Sequence, residues 1–238
     1  GRLGNGSNTS KINITWSPTS WAGKSFSFNS IRNNPQNLFV YAIENAVVEV
    51  KQGNTVLDSV SVNAGSGASL SWSVYGSYQV NSTGTILAFH YSGSGNTRVD
   101  PKPLLPSANK IIGFPSSSMT LTADIDATNY TYVHSNSRFG INSLNNEDAI
   151  NILPQGTSSL FQSESLVISA DRKISGASYA DSNGNCASIF LPTNLMKKKY
   201  AINSSADFVA FASLQAGTIQ VLDSNDNVVD TLNLTSGL

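Results

Sequence analysis

The sequence predicts an all-β fold of tandem antiparallel β-sandwich modules, and three observations lead there. Apolar and polar residues alternate at period 2 in short runs, turn-forming residues separate the runs, and pieces of the chain recur about 86 residues apart.

The alternation is clearest at Val56, Val60 and Val62, then at Leu70, Trp72 and Val74, then at Ile86, Ala88 and His90. Successive side chains of a strand point to opposite faces, so each run presents one apolar face to a core. Gln52-Gly53-Asn54, Gly65-Ser66-Gly67, Ser92-Gly93-Ser94-Gly95-Asn96 and Asn183-Gly184 supply the turns.

The recurrence fixes the organisation. Residues 54–65 and 227–237 share a pattern in which Asp58 matches Asp230 and Gly65 matches Gly237, both 172 apart. Half that offset separates Leu105-Pro106 from Leu191-Pro192. Lys24-Ser25-Phe26-Ser27-Phe28, Lys110-Ile111-Ile112-Gly113-Phe114 and Lys199-Tyr200-Ala201-Ile202-Asn203 open the three copies. An apolar strand follows in each (38–43, 119–123, 208–212), and then a second (47–50, 130–133, 218–221). A stretch near Asn142–Leu153 is inserted in the middle copy and is expected to form a short helix. The predicted divisions are an N-terminal extension over 1–20 with a strand at 11–16, β modules over 21–106 and 107–192, and a partial third unit over 193–238. About seven strands per unit suits a β-sandwich module; propeller blades, at about 40–50 residues, are shorter than the offset.

Composition narrows the function classes. Of 238 residues 39% are hydrophobic, enough for packed cores, while only 12% are charged, about half the usual share of roughly 25%. Net charge is −1, and the densest basic cluster is Lys197-Lys198-Lys199. Nucleic-acid binding needs a positive patch to displace counterions, so no such partner is expected. No apolar run reaches the ~18 residues that span a bilayer. The chain opens on Gly1 without Met or a signal sequence, which is expected of a processed, secreted chain. The one cysteine, Cys186, sits in an alternating run and reads as a small buried hydrophobe. Neither His90 nor His134 has a motif that would pair it with a nucleophile.

The third copy stops soon after Gly237, before the later strands that the first two copies possess. Lys11-Ile12-Asn13-Ile14-Thr15-Trp16, ahead of the first copy, resembles the late strands Ile86–Tyr91 and Lys173–Tyr179. It can pack as an ordinary edge strand, close its own chain, or insert into a neighbouring subunit. Insertion would use main-chain hydrogen bonds, with Ile12, Ile14 and Trp16 in pockets. Such head-to-tail contacts make a filament.

Other candidate sites have structural readings. Asp181-Ser182-Asn183-Gly184-Asn185 and Asp223-Ser224-Asn225-Asp226-Asn227 space their oxygens as a calcium loop begins. Pro192 and Leu234 stand where the closing Glu belongs, so both read as hairpin turns. Asp124-Ile125-Asp126 lacks the context of a catalytic metal pair, and no two acids can be nominated for glycoside hydrolysis. No enzyme activity, metal or cofactor is expected. Sequons at Asn5, Asn8, Asn13, Asn81, Asn129, Asn203 and Asn233 permit covalent glycans. About six would arise by chance, so their number carries no signal.

Lys173 to Tyr179, Asp181, Ile189-Phe190-Leu191-Pro192, Tyr200 and the opening strand Gly23 to Phe28 together resemble the IgGFc-binding-protein N-terminal type of domain. That family carries a Leu-Gly-Thr-Glu-Tyr-like stretch after Leu-Pro, where this chain has Leu195-Met196-Lys197-Lys198-Lys199-Tyr200. The resemblance implies extracellular β-rich modules of prokaryotic cell surfaces without a catalytic site. The expected function is a self-associating structural subunit of a cell-surface filament or layer. The alternative is an adhesive or glycan-binding module of a larger surface protein.

Overall fold

In the computed structural model the chain is all-β, with antiparallel sheets. The structure describes residues 19–30, 35–74, 76–93, 102–114, 118–134, 139–145, 165–179, 188–200 and 211–234.

The first sheet holds seven strands: β1 (Gly23–Asn29), β2 (Gln36–Ala42), β3 (Ala46–Gln52), β4 (Thr55–Val62), β5 (Gly67–Trp72), β6 (Ser77–Ser92) and β7 (Lys102–Leu104). The sixteen-residue β6 organises it. Its first half pairs with β1 on one side and β3 on the other, so that Val80 faces Phe26 and Val50. Its second half pairs with β2 and β7, so that Ala88 faces Val40 and Leu104. Strand β4 extends β3, and β5 extends β2. Both halves of β6 turn alternate residues into one core containing Phe26, Phe28, Leu38, Val48, Leu70, Trp72, Tyr78 and Ile86.

Between the halves, Gly84 passes so close to the neighbouring turn that a Cβ there would lie 2.5 Å from the Asn45 carbonyl oxygen. The polar run Asn81-Ser82-Thr83-Gly84 resembles a turn in sequence, yet β6 runs through it: Asn81 and Ser82 keep ladder partners, and the register against β1 shifts beyond them.

The second sheet also has seven strands: β8 (Ala108–Gly113), β9 (Ser118–Ala123), β10 (Thr128–His134), β11 (Phe139–Leu144), β12 (Leu166–Tyr179), β13 (Ser188–Ile189) and β14 (Leu191–Pro192). Here β12 is the long strand. Its first half pairs with β8 and β10, and its second half pairs with β9 and β13. The core gathers Ile111, Met119, Leu121, Tyr130, Leu144, Leu166, Ile168, Ile174 and Phe190. Residues 142–144, assigned to a helix from sequence, belong instead to β11, whose register against β10 is unbroken from Phe139 to Leu144. Two single 3₁₀ turns, Thr19–Trp21 and Thr193–Leu195, complete the described helical structure.

The last strands, β15 (Gly217–Leu222) and β16 (Val228–Leu234), form a two-stranded ribbon. Its residues are exposed or half-exposed throughout.

The expected alternation fails locally at Val74, which is exposed beyond the end of β5, and at Val56. Val56 is exposed, because β4 carries one extra residue, Leu57, between the pairs Val50–Asp58 and Lys51–Val56. A bulge of this kind re-aims the side chains beyond it.

Candidate functional site

Two features concentrate the unusual chemistry of this fold: a polar junction between the two seven-stranded sheets, and the C-terminal ribbon.

At the junction, Lys102 of β7 is 5% exposed. Its ammonium group donates to the Asn29 carbonyl oxygen at 3.2 Å and to the Tyr179 hydroxyl, and lies 4.8 Å from the centre of the Tyr179 ring. Tyr179 in turn donates to the same Asn29 carbonyl at 3.3 Å. Three residues from three strands thus tie β1 and β7 of one sheet to β12 of the other. No carboxylate among the described residues forms an ion pair with Lys102. A buried charge is costly, and here neutral acceptors and a ring face offset that cost.

Further along the same seam, Ser175 donates to the Ser27 carbonyl, Ser27 donates to the Asp124 carboxylate, and the Gln79 amide donates to the Asp124 carbonyl at 2.6 Å. Asp124, set aside as a metal ligand, is therefore a fastening residue. Between the sheets lies a crevice of about 30 Å³, lined mainly by apolar residues such as Phe28, Leu104, Ile111, Ile174 and Phe190, with Asn29, Lys102, Thr120, Thr122 and Ser175 as its polar members.

Beside Lys102 in the ladder is His90. It is 3% exposed and packs on Phe28, ring centres 4.5 Å apart. Its Nε2 contacts Gln36 Oε1 at 2.9 Å, and Ser92 donates to the same oxygen. As an amide oxygen only accepts, Nε2 carries the proton. Nδ1 has no hydrogen-bond partner among the described residues. Burial, and then the Lys102 charge, hold the imidazole well below its ordinary pKa.

The ribbon presents the opposite environment. Val228 and Val229 are 52% and 62% exposed, and Leu222 and Leu232 are also in solvent. Its connecting turn is built on Asp223, which accepts the backbone N–H groups of Asn225 and Asn227 at 2.8 and 2.9 Å. The Asn227 side chain, followed by these N–H groups, lowers the Asp223 pKa. This second loop of calcium-like spacing has hairpin-turn geometry.

Among the other nominated residues, Asn81 is half-buried in β6, whereas Asn129 and Asn233 are exposed. The Asn129 side chain donates to Asp171 at 2.8 Å, and the Asn233 side chain accepts from Thr218 at 3.1 Å. Ile12, Ile14, Trp16, Asn5, Asn8, Asn13, Asn203, Asp181 and Cys186 lie outside the described residues. No group of three or more His, Cys, Asp or Glu that could hold a metal occurs among the described residues. Nor is any helix there long and apolar enough to cross a membrane.

Sequence reasoning did not nominate Lys102, Tyr179 or Asn29. The available signal was the alternation of Lys102 with Leu104, which puts a lysine on an inward-facing position. Comparisons with protein-family models, curated proteins and solved structures return no match to this chain.

Proposed function

We propose that this chain is a non-enzymatic structural subunit of an extracellular cell-surface assembly, a filament or layer. In this reading it is built from β-sandwich units of about 86 residues and joined to its neighbours by donation of the strand Lys11–Trp16.

The repeat draws support from the pairing of the two large sheets. In one, Val80 lies between Phe26 and Val50; in the other, Ile168 lies between Ile111 and Tyr132. In the second halves, Ala88 pairs with Val40 and Leu104, while Gly176 pairs with Leu121 and its carbonyl accepts the Phe190 N–H. On this alignment Leu104-Leu105-Pro106 and Phe190-Leu191-Pro192 coincide at the offset of 86. Core volumes compensate as well: Phe28 with Leu104 in the first unit becomes Gly113 with Phe190 in the second. A Cβ on Gly113 would sit 2.3 Å from the Phe190 ring, so the large side chain has changed strands. The resemblance to surface-protein modules of the IgGFc-binding-protein N-terminal type belongs to the same reading.

One observation carries the assembly: among the described residues the ribbon β15–β16 has two strands and leaves apolar residues in solvent, and isolated two-stranded hairpins are marginal in water. A third strand would stabilise it. An adhesive or glycan-binding module would draw support from clustered exposed aromatics; Tyr41 of β2 and Tyr200, on different parts of the fold, are exposed, whereas Trp72, Tyr78, Tyr130 and Tyr179 are buried.

The test is deletion of residues 1–16, followed by negative-stain microscopy. The shortened chain is expected to give monomers or amorphous aggregates but no ordered polymer. Normal polymers from it would remove strand donation by this segment.

A further inference from the structure

We infer that a second copy of this chain docks on the outer face of the first sheet, on the patch that Phe39 and Tyr41 of β2 form with Leu87, Phe89 and Tyr91 of β6. The inference rests on the self-association in the reading above and names a surface for it.

The second sheet shows what the equivalent face does. With Gly176 of β12 at the place of Ala88 of β6, Ser175, Ala177 and Tyr179 correspond to Leu87, Phe89 and Tyr91. Their ladder partners Thr122, Thr120 and Ser118 correspond to Tyr41, Phe39 and Asn37. Ile189, beside Ala177, corresponds to Pro103, beside Phe89. On the second sheet this face is covered by the first. Thr120, Thr122, Ala177 and Tyr179 are buried, and Ser27 and Asn29 of β1 line the crevice against them. Ser175 and Tyr179 donate across it to the Ser27 and Asn29 carbonyls.

On the first sheet the same rungs are uncovered. Tyr41 is 40% exposed, and Phe39, Leu87, Phe89 and Tyr91 are half-buried. The Tyr91 hydroxyl has no hydrogen-bond partner among the described residues, whereas that of its counterpart Tyr179 reaches the neighbouring sheet.

A sheet face turned to water is ordinarily polar. The other outer face of the first sheet obeys that rule: Glu49 and Lys51 form an ion pair at 2.8 Å, with Ser59, Gln79 and Asn81 on the same rungs. The patch does not. Its rungs run Ser71–Asn37–Tyr91, Ser69–Phe39–Phe89–Pro103 and Gly67–Tyr41–Leu87, without a charged residue. A contiguous apolar face of this kind marks an interaction site, and its rings supply contact area. Lacking charge, it sets up no repulsion between like molecules. The occupant follows from the second sheet, where the equivalent face carries a β-sheet of this same chain. That contact is made by hydroxyl donation to main-chain carbonyls, which a further copy also offers.

The experiment uses the full-length chain, with sedimentation velocity over a concentration series and hydroxyl-radical footprinting. Phe39, Tyr41, Phe89 and Tyr91 should be labelled at least threefold less in the associated chain than in the dilute one. Tyr41→Lys combined with Phe89→Lys should weaken association at least tenfold, while Val47→Lys on the other outer face leaves it unchanged. Tyr91→Phe should also weaken association without lowering the melting temperature of the dilute chain. Equal labelling of the four rings in an associating chain overturns this face and leaves strand donation standing. Association of a chain lacking residues 1–16, with the four rings protected, removes donation and leaves the face standing. A chain that stays monomeric at every concentration overturns both. Protection of the rings by a soluble neutral β-glucan, in a chain that stays monomeric, would make the occupant a glycan and overturn the second copy.

Discussion

His90 shows how one side chain sets the acid sensitivity of the first sheet. It is neutral in the fold because burial and the Lys102 charge both oppose its protonation. In the unfolded chain it takes up a proton below about pH 6.5. The unfolded state then binds more protons than the folded one, so stability is complete above that pH and falls below it. The fall continues down to the depressed folded pKa, at no more than about 1.4 kcal/mol per pH unit. Melting temperatures from pH 8 to 5 should therefore decline in the wild type and stay nearly level in His90→Asn. Glu44, Asp171 and Asp223 have lowered pKa values, caused chiefly by the Thr85 backbone N–H, the Asn129 side chain and the Asn227 side chain. Their contribution is present above their unfolded values, near pH 4, and is lost as pH falls through their folded values. Both chains should share that second decline. His90 was visible in the sequence as one member of an alternating run, but alternation reports a face and not the distance to a lysine twelve residues later in the chain.

At the scale of elements, the exchange of bulk between Gly113 and Phe190 makes a packing test. Gly113→Ala should cost about 1–3 kcal/mol, because its new methyl overlaps the Phe190 ring. Gly113→Ala combined with Phe190→Leu should recover part of that loss, as read from urea midpoints. Equal instability of the single and double variants would mean that the overlap is not the cause. The strands themselves were legible where apolar residues alternate, as in Lys24–Phe28 on β1, or run on unbroken, as in Leu38–Ile43, which falls on β2 up to Ala42. Continuity of β6 was not legible, because Asn81-Ser82-Thr83-Gly84 has the composition of a turn and it is the pairing of Asn81 and Ser82 with β1 and β3 that keeps the strand extended there. The helix expected near Asn142 failed for a related reason: the strand Phe139–Leu144 is specified by its partner β10, with Ile141 left 77% exposed on the outer face.

For the whole molecule, the junction decides how the two sheets behave together. Replacing Lys102 by Met removes a buried charge and leaves the Tyr179–Asn29 hydrogen bond able to form. Its stability should stay within about 1 kcal/mol of wild type or rise. Tyr179→Phe strips one acceptor from a lysine that remains buried and should cost about 1–3 kcal/mol. Denaturant titrations of both variants check the contrast, and a large loss in Lys102→Met would show that the charge itself holds the sheets together. This seam was invisible in the sequence because Asn29, Lys102 and Tyr179 lie far apart along the chain, and each belongs to an otherwise ordinary strand. The hub arrangement of β6 carries a consequence for how such a chain is delivered. Until residues 77–92 are available, β1 has no partner, and only β3 with β4 and β2 with β5 can pair. Two-stranded pairs of this kind are marginal. A polypeptide emerging amino end first therefore stays pliable until Ser92 is out, then gathers β1 to β5 around one late arrival, with β7 still to follow; β12 repeats the delay for β8 to β11.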